Sequence, residues 1–252
     1  MVEQKDTYNY VLRLADNCLI LGQRLAEWCG HGPVIEQDIA MTNISLDLIG
    51  QARNYYQYAA ELTGGKMSED DIAFLRNDRA YCNLLLVEQP NNDFAYTIIR
   101  QYLFDVFHFH LLNELVNSQD ESIAGIAQKS IKEVTYHKRW SGQWVLRLGD
   151  GTEESHTKMQ TALDHFWDYA FESIIPDTLD QKMANEGIGA DLKKISAPMR
   201  KEIEEHLKEA TLLIPEANWN QTGGKTGMHS EHLGFLLAEM QHLQRAFPGA
   251  EW

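Results

Sequence analysis

Asp93-Phe94-Ala95-Tyr96-Thr97-Ile98-Ile99-Arg100-Gln101-Tyr102-Leu103-Phe104-Asp105-Val106-Phe107-His108-Phe109-His110-Leu111-Leu112 repeats its apolar residues at helical spacing. Asp93 can cap a helix over about 94–118, and Phe94, Ile98, Tyr102, Phe109, Leu112 and Val116 share one face. At 100° per residue Asp105 lies within about 20° of Ile98, Leu112 and Val116, and His108 and Gln101 flank it by about 60° and 40°. An acid there faces the interior, where an unpaired charge is costly and is neutralised, paired or metal-bound. Leu103 and Phe107 fall on the opposite side, where a lone monomer would present them to water, so this face is expected to meet either the shorter C-terminal helices or another subunit.

Three neighbouring segments repeat the pattern. About 122–148 carries Ile123, Ala127, Val134, Ser141, Val145 and Leu148, with Glu133 and His137 one turn apart at the edge of the Val134 face. About 35–62 carries Met41, Ile44, Leu48, Ala52, Tyr55, Ala59 and Leu62, and Asn43, Asp47, Gln51 and Asn54 form a polar seam beside that stripe. About 6–29 carries Val11, Leu14, Cys18, Leu21, Leu25 and Trp28 and ends at Gly30-His31-Gly32-Pro33. Four such segments with short connections describe an all-α protein, an antiparallel bundle over about 6–148.

The remainder reads as shorter helices. Ser68-Glu69-Asp70-Asp71 opens a helix leading to Pro90, although Leu84-Leu85-Leu86-Val87 alone could be a buried strand. A sixth helix follows Thr152 and runs through Ile174. Residues 177–228 hold two short helices and the Gly-rich Thr222-Gly223-Gly224-Lys225-Thr226-Gly227, and a last helix covers about 229–246. All six prolines fall where the periodicity breaks. The expectation is one domain, 1–252, with additional C-terminal helices over about 153–246.

Charge narrows the function classes. With 22 Lys+Arg against 37 Asp+Glu, the net charge of −15 repels nucleic-acid phosphates and anionic lipid, so neither nucleic acid nor membrane is an expected partner. The opening Met1-Val2-Glu3-Gln4-Lys5-Asp6 lacks the apolar core of a signal peptide, which predicts a cytoplasmic protein. Cys18, Cys29 and Cys82 form no C-x-x-C pair and read as reduced thiols.

Acids and imidazoles converging from several helices suggest a di-iron carboxylate bundle, in which two helices each give one Glu and two give Glu-x-x-His. The spacing matters because carboxylates bridge the irons while each imidazole, one turn on, caps one of them. Here the set is incomplete: Asp47 is followed at i+3 by Gly50 and Glu133 by Tyr136, and only Asp105 with His108 keeps an acid and His at that interval. Asp16 points away from the Cys18 and Leu21 face. A buried hydrogen-bonded network over Asp47, Gln51, Asp105, His108, Glu133, Tyr136 and His137 is the favoured reading. The alternative is a di-metal oxygenase or oxidase acting through Asp47, Asp105, His108, Glu133 and His137. Gly224-Lys225-Thr226 lacks the first glycine and the strand of a phosphate-binding loop, and His242 of Glu239-Met240-Gln241-His242 lies off the apolar face. No elbow motif places a serine nucleophile.

Longer blocks carry a resemblance. Gly22-Gln23-Arg24-Leu25-Ala26-Glu27-Trp28-Cys29-Gly30-His31, Asp47-Leu48-Ile49-Gly50-Gln51-Ala52-Arg53-Asn54, Asn83-Leu84-Leu85-Leu86-Val87-Glu88-Gln89-Pro90, and Gly223-Gly224-Lys225 with His229-Ser230-Glu231-His232-Leu233-Gly234 resemble the non-catalytic structural subunits of the phenylacetate-degradation oxygenase, also called phenylacetyl-CoA epoxidase. The likeness spans the chain to Pro248-Gly249-Ala250-Glu251-Trp252. It implies a ferritin-like, structural subunit with no catalytic residues and no metal or cofactor of its own. The family's catalytic partner holds the di-iron centre and epoxidises the ring of the aromatic CoA thioester with O2. Electrons come from a reductase subunit with FAD, an iron–sulfur centre and NADPH, and small accessory subunits complete the complex. Such a scaffold needs a broad contact surface, for which Leu103, Phe107, Trp219 and Trp252 are the candidate residues, and self-association to at least a dimer is expected.

Overall fold

The computed structural model describes residues 3–216 and 219–250. These form helices α1 (Gln4–Ala26), α2 (Ile35–Leu62), α3 (Glu69–Phe74), α4 (Leu85–Glu88), α5 (Phe94–Leu115), α6 (Glu121–Gly149), α7 (Glu153–Phe166), α8 (Thr178–Asn185), α9 (Leu192–Glu209), α10 (Glu231–Met240) and α11 (His242–Ala246), joined by 3-10 turns and loops, with no strand among the described residues. The all-α expectation holds, and paired long helices are the elements of a ferritin-like bundle. The described residues divide into two compact units, one drawn from 1–90 and 222–252, the other from 91–221. Among them no helix is long and apolar enough to cross a membrane.

In the first unit α1 and α2 run antiparallel, as three contacts show in sequence. Gln4 donates to the Leu62 carbonyl at 2.9 Å, the Tyr56 hydroxyl to Asp16 at 2.6 Å, and the Ser45 hydroxyl to the Gly22 carbonyl at 2.7 Å. The helices come close at Gly22, where a Cβ would meet the Ile49 side chain at 3.0 Å and the Ser45 carbonyl at 3.3 Å. A capping box of Glu3 and Asp6 starts α1.

The helix expected from Ser68 to Pro90 is not continuous. Ser68 and Asp71 cap α3 as anticipated, but the chain leaves the helix after Phe74. Its backbone is claimed by α1 instead: the Cys82 amide donates to Asp16 at 2.8 Å and the Leu84 amide to the Asn17 side chain at 2.8 Å. The Leu84–Val87 run is neither strand nor long helix; α4 is a single buried turn.

In the second unit α5 and α6 are antiparallel: Phe94 packs edge-on against Trp144 at 5.3 Å, Ser141 bonds Asp105 at 2.7 Å, and the Lys138 ammonium lies 3.7 Å from the centre of the Phe109 ring. Helices α7 and α9 pack on α5 as well. With α6, α7 and α9 all against it, α5 has no wet apolar face, so Leu103 is 1% and Phe107 5% exposed. Of the two coverings expected for this face, the C-terminal helices and another subunit, the fold supplies the first, which leaves neither side chain as a contact for a partner. Two further expectations need correction. The sixth helix ends at Phe166 and continues only as 3-10 turns. Pro198 lies inside α9, where Leu192, Ile195, Met199, Ile203 and Leu207 form the buried stripe; the proline is on the exposed side, so the Lys194 carbonyl that loses its intrahelical partner can be hydrated.

Candidate functional site

The sealed polar cluster of the second unit is built from α5 and α6. Asp105 is fully buried, as its alignment with Ile98 and Leu112 required. Its two oxygens are both occupied: the Gln101 amide, one turn earlier, donates to Oδ1 at 2.7 Å, and the Ser141 hydroxyl donates to Oδ2 at 2.7 Å. Ser141 Oγ also lies 3.0 Å from the His137 carbonyl, a bond α6 offers at i−4. Burial pushes the Asp105 carboxyl up to about 7, against the pull of His137 and its hydrogen bonds. The serine suits both states. It donates to the carboxylate, or accepts from the protonated acid while its own proton goes to the His137 carbonyl.

His108, one turn after Asp105, is buried against Phe104, with ring centres 5.1 Å apart. Burial, with a smaller contribution from His137, holds it down to about 3, so this imidazole is neutral at every ordinary pH. His137 is also buried. The cluster can therefore store one proton on Asp105 without exchanging it with a charged imidazole at His108.

The other expected members sit differently. Gln51 is buried on α2, 3.9 Å from the Cys18 sulfur, whereas Asp47 is half-buried. Gly50 is exposed, with nothing within 4 Å of where a Cβ would stand, and Tyr136 is exposed too. Gly50 and Tyr136 are thus not interior positions that lost a histidine; a histidine at either would point outward. Glu133 is half-buried. Trp219 is 56% exposed, and Trp252 lies outside the described residues.

These donors do not fit a di-iron centre. Both Asp105 oxygens are committed to protein donors, its carboxyl is half protonated near neutrality, and the i+3 positions after Asp47 and Glu133 turn away. Among the described residues no group of three or more His, Cys, Asp or Glu side chains is placed to hold a metal ion.

Two ionic assemblies of the first unit were not visible in the periodicity. Asp16, read as pointing away from the core, is fully buried; it accepts from Tyr56, from both terminal nitrogens of Arg76 and from the Cys82 amide. The Arg76 guanidinium also stacks 4.1 Å from the centre of the Tyr81 ring. Residues 60 positions apart make this pair, and only the near-complete burial of α1 around its circumference hints that no side of it is free for an acid. The second assembly joins Glu88 to His229, Asn83 and the Ser230 amide, while Arg24 donates through Nε and Nη2 to the Glu88 carbonyl at 3.0 and 2.9 Å. Arg24 also reaches the His232 carbonyl at 3.0 Å. Three of the four blocks that carried the family resemblance therefore meet at one place.

Antiparallel pairs of long helices, with a buried acid hydrogen-bonded to Gln101 and Ser141, define an all-α protein of the ferritin-like class. The chain belongs to the family described as phenylacetic acid catabolic protein, whose model matches residues 1–252. It is 50% identical over 243 residues to a subunit of the 1,2-phenylacetyl-CoA epoxidase of Escherichia coli (strain K12), an alignment covering 96% of this chain and 98% of that protein.

Proposed function

We propose that this chain is the structural, non-catalytic subunit of the multicomponent oxygenase that epoxidises the aromatic ring of phenylacetyl-CoA, and that it supports the catalytic di-iron subunit in the cytoplasm. The observation that carries the non-catalytic reading is Asp105, whose two oxygens are taken by Gln101 and Ser141. Full-length similarity to a subunit of that epoxidase supports membership of such a complex. In this reading the irons belong to the partner, and FAD, iron–sulfur and NADPH chemistry to the reductase.

For the contact surface we propose the exposed face of α2. Ile35, Ile39 and Leu46 are 72%, 55% and 61% exposed, and at 100° per residue they share a direction opposite the buried Met41, Ile44 and Leu48. Spacings of four and seven make a second apolar stripe on α2, which suits docking of another helix at bundle spacing. Gly50 extends this face and lets a neighbouring backbone come close. Burying three such side chains contributes roughly 1.5–3 kcal/mol each, enough to make this stripe the nucleus of an interface. The catalytic subunit is assigned as its occupant, and self-association through the same stripe is expected when that partner is missing. Co-expression with the di-iron subunit tests the assignment: a stable complex with iron only in the partner supports it, and a chain that remains alone refutes it.

A further inference from the structure

We infer that His229 is held as an imidazolium between Glu88 and the Tyr81 carbonyl, forming a pH-sensitive clasp that seats the Gly-rich segment 222–230 on residues 79–88. Its Nδ1 lies 2.8 Å from Oε2 of Glu88 and its Nε2 lies 2.9 Å from the Tyr81 carbonyl oxygen. A neutral imidazole has one N–H and would set a lone pair against one of those two acceptors. The geometry therefore needs an extra proton, either on the ring or on Glu88.

Glu88 is the wrong place for it. Besides His229, its carboxylate accepts from the Asn83 amide at 2.9 Å and from the Ser230 backbone amide at 2.6 Å. Ser230 is the N-cap of the ten-residue α10, so the carboxylate also meets the positive end of a helix dipole. Three donors and a dipole favour the ionised acid, which leaves the proton on His229. Of the neighbouring charges, one acts in the same direction and two are already paired. Asp16 on α1 favours the imidazolium; Arg76 is tied to Asp16; and Arg24 is spread over the Glu88 carbonyl, the His232 carbonyl and Glu27. Burial opposes the charge, but the net effect raises His229 above its ordinary value.

The segment that this charge holds is fitted closely. A Cβ at Gly224 would stand 2.2 Å from the Asn83 carbonyl oxygen, and one at Gly227, whose φ is +79°, 2.3 Å from that of Arg79. The loop's own turn bonds, such as Met228 N–H to the Gly223 carbonyl at 3.0 Å, keep its shape but not its seat. Removing the ring proton turns one of the two His229 contacts repulsive and unlatches 222–230 from 79–88.

The sign follows from the raised value. The clasp is complete below the ordinary histidine value of about 6.5 and is lost as pH rises through the higher folded value. Histidine ring NMR of the full chain, with His229 assigned by the signal missing in His229→Asn, should show both ring nitrogens protonated below a midpoint that lies above about 6.5. Amide exchange at 224–230, normalised for intrinsic pH dependence, should rise by up to about tenfold for each pH unit between about 6.5 and that midpoint, and level off above it. In Glu88→Gln the His229 midpoint should fall and the pH-dependent rise should vanish, with 224–230 exchanging fast throughout. A midpoint at or below the ordinary value overturns the inference. So does a raised midpoint with exchange at 224–230 that does not follow it, or the same exchange profile in Glu88→Gln.

Discussion

Asp105 is fully buried, with each carboxyl oxygen hydrogen-bonded inside the protein. Its direction followed from Ile98, Leu112 and Val116, but its protonation is set by burial, opposed by His137 and by the hydrogen bonds from Ser141 and Gln101. Unfolded, Asp105 ionises near pH 4; folded, it keeps its proton to about 7. Unfolding thus releases a proton between those values, so its contribution to stability falls as pH rises from about 4 to 7. His108 acts oppositely. The unfolded ring gains a proton below about 6.5 and the folded one only near 3, so its contribution falls as pH drops through that range. Asp105→Asn should therefore gain on the wild type by up to about 4 kcal/mol between pH 4 and 7, measured by urea unfolding; a pH-independent difference would mean Asp105 is ionised in the fold. Asp105→Ala strands both donors and should cost a few kcal/mol at pH 5. For the buried pair in the first unit, Asp16→Ala should cost about 3–5 kcal/mol by leaving Arg76 uncompensated, and Asp16→Ala with Arg76→Met distinctly less. Equal losses would show the pair is not coupled.

Individual helices explain which expectations survived. Residues 35–62 could be read to the residue because Ile35–Leu62 has one dry face and one wet one, and the boundaries lie at Val34 and Thr63. On α5 periodicity failed to rank the faces, since Leu103 and Phe107 are as apolar as Ile98 and only packing by α6, α7 and α9 shows that all sides are covered. In the segment after Ser68, local propensity lost to the side chains of Asp16 and Asn17, which take backbone amides a helix would have used. Gly50 and Tyr136 were legible as wrong residue types for ligands but not as outward-facing positions. The two kinds of apolar surface differ in what substitution does. Ile39→Glu and Leu46→Glu should leave helicity and melting within the small range of surface changes, about 0.5 kcal/mol, yet weaken binding of the di-iron partner at least tenfold by pull-down titration. Leu103→Glu and Phe107→Glu should instead lower stability by several kcal/mol or prevent folding. If the α2 changes leave the complex intact, the contact lies elsewhere.

At the scale of the whole molecule, the acidic chain carries its charge on a helical framework whose most specific polar groups are spent on itself. Asp16 is closed by Arg76 and Tyr56, Glu88 by His229 and Asn83, and Asp105 by Gln101 and Ser141. None of these three acids is left to bind substrate or metal, as the proposed supporting role expects. The most direct measurement is metal content after co-expression with the di-iron subunit and separation of the two chains, together with ring epoxidation by each chain alone and by the reconstituted pair with the reductase. The account predicts a complex that co-purifies, iron retained by the partner and absent from this chain, and full turnover only in the reconstituted complex. Stoichiometric iron bound by this chain through Asp105 and His108, or epoxidation by this chain without its partner, would contradict it.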